Sequence, residues 1–295
     1  MTEPRHIPFS PARIGAIAGN TLLELVRLKV FHFLLLFALA VIGSSSFMVK
    51  FSFQEQFQVL RDVGFGAMSI FTFLLAILPT ALLLPRDVED RTLYTILAKP
   101  VPRVEYLLGK LLGVLVLLAI ATALMSAVFA ATLHSRFAAA SADTLREFAA
   151  MPQDQKDAAL RDLAEHAFTP GAPKAVALIY IKAALFAGFT LFISTFATSH
   201  IFTIIVVAST YLIGHLQGVA RDYWQSGEAI SPLKKLFLAA VALAFPDLQP
   251  FNVVDELAVG TLLPDLVFAK VFGLGALYLA VYTLLAWFVF EKKEL

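Results

Sequence analysis

Few residues in this chain have the type and spacing for covalent or metal chemistry. The six histidines, at 6, 32, 134, 166, 200 and 215, form no His-Glu-x-x-His pair or other close metal-ligand spacing. Cysteine is absent, which excludes disulfides and thiolate sites. Gly109-Lys110 is followed by Leu111, and no Gly-x-x-x-x-Gly-Lys-Ser/Thr phosphate loop occurs, so the chain is not expected to hydrolyse ATP by itself. Lys182 lies within an apolar run. A cation in hydrocarbon costs about 2.5–3.5 kcal/mol on insertion scales, which makes Lys182 a candidate pathway residue; near the end of its run a lysine can also snorkel to the interface. Lys270 has the same two readings, and His200 and His215 bracket another run and are expected at interfaces. Glu24 and Arg27, one turn apart, are expected to form an exposed pair or, on the cytoplasmic side, to help receive a partner protein.

The richest polar stretch runs from Asp87 to Lys110 between two apolar runs. Leu93, Ile96 and Leu97 fall at i, i+3, i+4 on one face of a short helix that Asp90 can cap and Pro100 must end. Asp87, Glu89, Arg91, Thr95 and Lys99 are left for the other face. The chemistry available here is mechanical. An amphipathic helix tied at both ends to membrane spans lies on the bilayer surface or offers its apolar side to a partner protein.

The elements that position this stretch are membrane helices. Of 295 residues, 59% are hydrophobic and 15% charged, and the mean hydropathy of +0.79 is far above that of a soluble domain. The net charge of +1 gives no reason to expect a nucleic-acid partner. Spans of about 20 apolar residues are expected over 30–49, 65–84, 106–133, 175–197, 201–218 and 266–290. The fold is therefore read as all-α, a single membrane domain over 1–295 with six transmembrane helices. Ser10-Pro11 starts an amphipathic helix over 11–28, with Ile14, Ile17, Ala18, Thr21, Leu22 and Leu25 on one face, expected to rest among the headgroups. It lacks a signal-peptide core, so no cleavage is expected. Pro85 is expected to end the second span. Gly109 and Gly113 make a small-xxx-small step that either admits a close helix neighbour or is incidental. The polar loop 134–174 is expected to hold two short helical segments divided by Pro152, the second marked by Leu160, Leu163, Ala164 and Ala167. In the loop 219–265, the apolar residues 233–245 are too few to cross and fit an interfacial or re-entrant helix.

Lysine and arginine set the sidedness. Arg5, Arg13, Arg27 and Lys29 precede the first span, Arg86, Arg91, Lys99, Arg103 and Lys110 sit in the central stretch, and Lys292 and Lys293 are in the tail, against only Lys50 and Arg61 in the short loop after the first span. Both termini and the central stretch are therefore expected in the cytoplasm, and the loops 134–174 and 219–265 outside it.

In the central stretch, Glu89, Thr92, Leu93, Pro100, Arg103, Gly109 and Lys110 occupy the places of an acidic residue before a Thr-Leu pair, then Pro, Arg and Gly-Lys. This pattern resembles the loop that defines type-2 ABC-transporter permeases, and the amphipathic N-terminal helix resembles that family's connecting helix. Arg91 stands where a glycine is common, and Pro102 where a small polar residue is common. The long outer loops and the Phe245–Asn252 segment look most like permeases of copper-enzyme maturation and gliding-motility systems. The resemblance implies a bacterial inner-membrane permease acting as a dimer, expected to be a homodimer, with two cytoplasmic ATPase subunits that bind the ATP and Mg. A groove of each ATPase would seat the coupling segment 86–105, with Asp87, Glu89, Asp90, Arg91, Thr92, Leu93, Ile96, Leu97, Pro100 and Arg103 as coupling residues, and transport would run outward, with an extracytoplasmic partner for the outer loops as a further expectation. The alternative is a secondary transporter working without ATP, for which charged residues near the midplane or interrupted spans would be needed. An intramembrane enzyme lacks paired acid-base or metal-ligand residues in the spans.

Overall fold

A computed structural model describes residues 9–45, 53–89, 101–147, 149, 152–225, 245–252, 254 and 263–292. All regular structure among them is helical: α1 (Pro11–Val26), α2 (Lys29–Ser44), α3 (Phe53–Glu89), α4 (Arg103–Glu147), α5 (Gln153–Ala167), α6 (Ala172–Phe196), α7 (His200–Gln225), a 3-10 turn at Gln249–Asn252 and α8 (Asp265–Glu291). Four helices, α3, α4, α6 and α8, are long and apolar enough to cross a membrane. The pair α1 and α2, bent by 68° at their junction, makes a fifth candidate if it is taken as one span. In α7 the apolar part is the shorter stretch His200–Leu216. The bend between α1 and α2 has a local cause: Leu28 leaves the helical region for an extended backbone, φ −67° and ψ 129°.

Three helices outrun the expected spans: α3, which also takes in residues 53–64 of the expected polar loop, α4, and α7, which continues past 218 to Gln225. α3 continues through Pro79 and Pro85 to Glu89 rather than ending at Pro85. An interior proline forfeits one backbone hydrogen bond and strains the turn before it, but Ala81, Leu83 and Leu84 are buried around it and keep the turn in place. α4 does not stop near Leu133. It runs on to Glu147, so the first of the two segments expected in 134–174 is a continuation of the span helix. Charge ends the apolar run there, yet residues 134–147 contain neither glycine nor proline and are rich in alanine, the strongest helix former. α5 begins behind Pro152 as expected and buries Leu163 and Ala167, packing on α4. The expected helix over 233–245 lies almost wholly outside the described residues, as does most of the coupling stretch.

α6 is the axis of the bundle and packs against α3, α4, α7 and α8. Ala183 through Leu191 are buried without interruption, which fits a helix apolar on all sides. α8, its most extensive partner, leaves Leu266, Leu277, Leu284 and Phe288 exposed on its other face. Two ends of the bundle matter for function. At one, the last turn of α3, the first of α4 and the last of α8 come together around α1. The other holds the beginning of α6, the end of α7's apolar part and the segment 245–254.

Candidate functional site

The segment 90–100 lies outside the described residues, but both of its feet are described, and they are locked together. Asp87, in the last turn of α3, receives a hydrogen bond from the Tyr106 hydroxyl and an ion pair from Lys110 of α4, Nζ to Oδ2 2.7 Å. The Lys110 and Asp87 side chains are only 3% and 10% exposed. Lys110 also lies 3.4 Å from Glu24 of α1, and Arg86 approaches the same Glu24 at 4.0 Å. Glu24 thus turns toward the α3 and α4 feet, where an exposed pair with Arg27 was expected. One turn before Lys110, the fully buried Glu105 takes a bidentate pair from Arg13 of α1, Nε to Oε2 2.6 Å and a terminal nitrogen to Oε1 2.8 Å. Ser10 donates its backbone N–H to the same Oε1 at 2.8 Å and makes no side-chain cap at α1. Arg103 donates to the carbonyl oxygens of Phe290 and Glu291 at 2.9 and 2.7 Å, closing the last turn of α8. The Tyr106 ring stacks on Phe290.

The clamp is close because of Gly109 and Gly113. A Cβ on Gly109 would stand 2.6 Å from the Cβ of Ile17, and one on Gly113 would stand 2.7 Å from the Cβ of Thr21 and 2.8 Å from the Ala18 carbonyl oxygen. The small-xxx-small step is therefore occupied, and its partner is α1 rather than another span. α1, expected among the headgroups, turns Ala18, Thr21 and Leu25 into this contact. Gly113→Leu is expected to push α1 off α4 at a cost of about 1–3 kcal/mol or more, since the obstructing Ala18 oxygen is backbone. Thermal unfolding in micelles, with Gly113→Ala as the milder step, reads the effect; equal melting temperatures for wild type and Gly113→Leu would contradict it.

A second polar feature lies toward the other end, where α3, α6, α7 and the segment 245–254 enclose a cavity of about 300 Å³. Its apolar wall includes Phe65, Ile179 and Phe251; its polar side carries Ser69, Lys182 and His215. Lys182 Nζ is 3.1 Å from His215 Nε2 and 5.2 Å from the Tyr211 ring centroid. His215 Nδ1 is 2.9 Å from the Tyr211 carbonyl oxygen. A carbonyl only accepts, so Nδ1 holds the proton and Nε2 accepts from the lysine amine.

A family model described as ABC-2 family transporter protein matches residues 16–295, nearly the whole chain. The chain belongs to the ABC-2 transporter family. No curated protein matches it. In this ABC-2 transporter protein the expected coupling residues divide by position. Asp90, Arg91, Thr92, Leu93, Ile96, Leu97 and Pro100 lie outside the described residues, and so does the Glu89 side chain. Asp87, expected on the polar outer face, is turned inward because Lys110 and Tyr106 need a carboxylate there. Arg103 caps α8. Lys182 faces the cavity with His215.

Sequence reasoning missed Glu105, Tyr106 and Arg13 as parts of a site. One signal was present. Lys110 sits at the start of an apolar run, where a cation requires a partner, and Asp87 and Glu24 are carboxylates beside two other apolar segments. Nothing in the spacing says which of them it meets.

Proposed function

We propose that this chain is the permease subunit of an ATP-binding cassette exporter in a bacterial cytoplasmic membrane. It has six spans, two cytoplasmic termini and a second copy as partner, and a separate ATPase holds the ATP and Mg. The observation that carries the coupling role is the charge clamp at the feet of segment 90–100. When the ATPase moves the amphipathic helix read between Asp90 and Pro100, the displacement enters α3 at Asp87 and α4 at Glu105 to Lys110. Lys110–Asp87 joins those feet, while Arg13–Glu105 and Lys110–Glu24 join them to α1. The three helices therefore shift as a unit rather than stretching the connection. α3 and α4 both pack on α6, which carries the movement into the centre of the bundle. Asp87 and Arg103 act in this reading by holding the feet in place, and the ATPase-facing contacts fall to Leu93, Ile96, Leu97 and the polar residues around them. The exposed apolar face of α8 supplies surface for a second copy or for lipid.

Reconstitution of the chain with the ATPase from its gene neighbourhood tests this. ATP-dependent outward transport is expected, with none when the ATPase is omitted. Gradient-driven transport by this chain alone would replace the proposal with secondary transport.

A further inference from the structure

Glu24 gives its carboxylate to Lys110 and Arg86, and so Arg27, one turn further along α1, lacks the acidic partner that helix spacing offers it. Two residues on, past the 68° bend at Leu28, Lys29 opens α2. Both side chains are exposed, and among the described residues no carboxylate pairs with either. Two uncompensated cations therefore flank one bend. The face of α2 that begins at Lys29 continues through Phe33 and Leu36, at i+4 and i+7, with Phe37 beside them. Phe33 is 67% exposed, Leu36 71% and Phe37 49%, and the rings of Phe33 and Phe37 stack. On the opposite face Phe31, Leu34, Ala38 and Ile42 are buried in the bundle. Charge first, then exposed apolar surface, is the order of groups in a lipid that carries an anionic head.

We propose that the bend between α1 and α2 binds an anionic phospholipid. Arg27 and Lys29 supply the charge that its phosphate meets, and an acyl chain lies along Phe33 and Leu36. The occupant is a lipid rather than a soluble protein, because Phe33 and Leu36 belong to a candidate span and face hydrocarbon. It is anionic rather than zwitterionic because a choline cation would be repelled by the same two side chains that attract the phosphate. Glu24 is one turn from Arg27, so the bound lipid ties the α1 member of the clamp to the leaflet. The site depends on no property of an ATPase, and binding is measured without ATPase or ATP, so its failure and that of the permease reading are distinguishable.

The chain contains no cysteine, so one introduced residue carries a fluorophore at a single place. Ala40, at i+11 from Lys29, is exposed on the same face of α2. The full chain, labelled at Ala40→Cys, is reconstituted in dioleoyl phosphatidylcholine vesicles with increasing amounts of phosphatidylglycerol or phosphatidylcholine bearing brominated acyl chains, which quench on contact. Brominated phosphatidylglycerol is expected to quench saturably and with a preference of about twenty- to thirtyfold, a factor of about five for each basic residue at an anionic headgroup. A label at Leu284→Cys, on the exposed face of α8, is expected to be quenched equally by both lipids. Arg27→Gln with Lys29→Gln is expected to abolish the preference at position 40. Lys292→Gln, which removes another exposed cation at the same end of the bundle, is expected to leave it intact. Glycerol 3-phosphate, the head alone, is expected not to relieve the quenching. Equal quenching by the two lipids at position 40, or an unchanged preference in the double variant, would overturn the site. So would an equal loss in Lys292→Gln, which would mean diffuse surface charge, while relief by glycerol 3-phosphate would overturn the lipid as occupant. The comparison of labels at 40 and 284 keeps both basic residues and decides the matter should the double variant fail to fold.

Discussion

Replacing Asp87 by alanine is expected to destabilise the folded protein by about 3–5 kcal/mol, the usual cost of leaving one member of a buried ion pair behind. The Lys110 side chain is 3% exposed and loses its 2.7 Å partner, retaining the 3.4 Å contact to Glu24 and the Tyr106 ring at 5.8 Å. The Tyr106 hydroxyl, which donates to the same carboxylate, loses its acceptor as well. Three variants separate these contributions. Asp87→Asn keeps an acceptor for Tyr106 and loses the charge, so its cost should fall between wild type and alanine. Lys110→Met alone leaves Asp87 bonded to Tyr106. The double variant Asp87→Ala with Lys110→Met leaves no buried charge orphaned and should recover much of the stability lost in Asp87→Ala, giving a coupling energy well above the measurement error. Thermal unfolding in a single detergent reads all four proteins. A double variant no more stable than Asp87→Ala would mean that the pair is not the source of the loss.

The same cluster shows which parts of this molecule can be read from sequence. Helices follow from apolar runs and local spacing, and α1, α5 and α6 lie close to where Ser10-Pro11, Pro152 and the run after Lys174 place them. Gly109 and Gly113 were visible as a small-residue step, because that signal spans a single turn. Helix ends were read less well. Membrane length and helix length are different quantities, and alanine-rich residues carry α4 beyond the point where hydrocarbon would end. The clamp was invisible for another reason. Arg13 and Glu105 are 92 residues apart, and Lys110 and Glu24 are 86 apart. No local period connects such residues; only the crossing of α1 over α4 does, and that crossing is a property of packing. Lys182, which the sequence offers as a pathway residue or a snorkelling lysine, and His215, expected at an interface, are 33 residues apart on consecutive helices, and for the same reason nothing in the sequence pairs them.

The largest effect on function is expected from a change that leaves the clamp intact. Alanine at Asp90, Leu93 and Leu97 together removes the cap and two of the three apolar residues that the sequence spacing places on one face of the coupling helix. Interface anchors of this kind cost about 2 kcal/mol or more each when truncated, so ATPase association should weaken by well over about tenfold even with incomplete additivity. Insertion should survive, because all three residues lie between apolar runs and contribute nothing to the spans. The contrast with Asp87→Ala makes the result interpretable. Asp87 is buried among Lys110 and Tyr106, so its loss should soften the feet, lowering stability and the transport gained per ATP hydrolysed while the ATPase still binds. The triple variant should do the reverse, with normal melting temperature and little ATPase recovered on co-purification. Seating the partner and transmitting its motion would then be separate tasks, given to residues on either side of position 90. Unchanged co-purification in the triple variant would move the docking site away from this helix. The clamp would then be a structural joint with no connection to ATP.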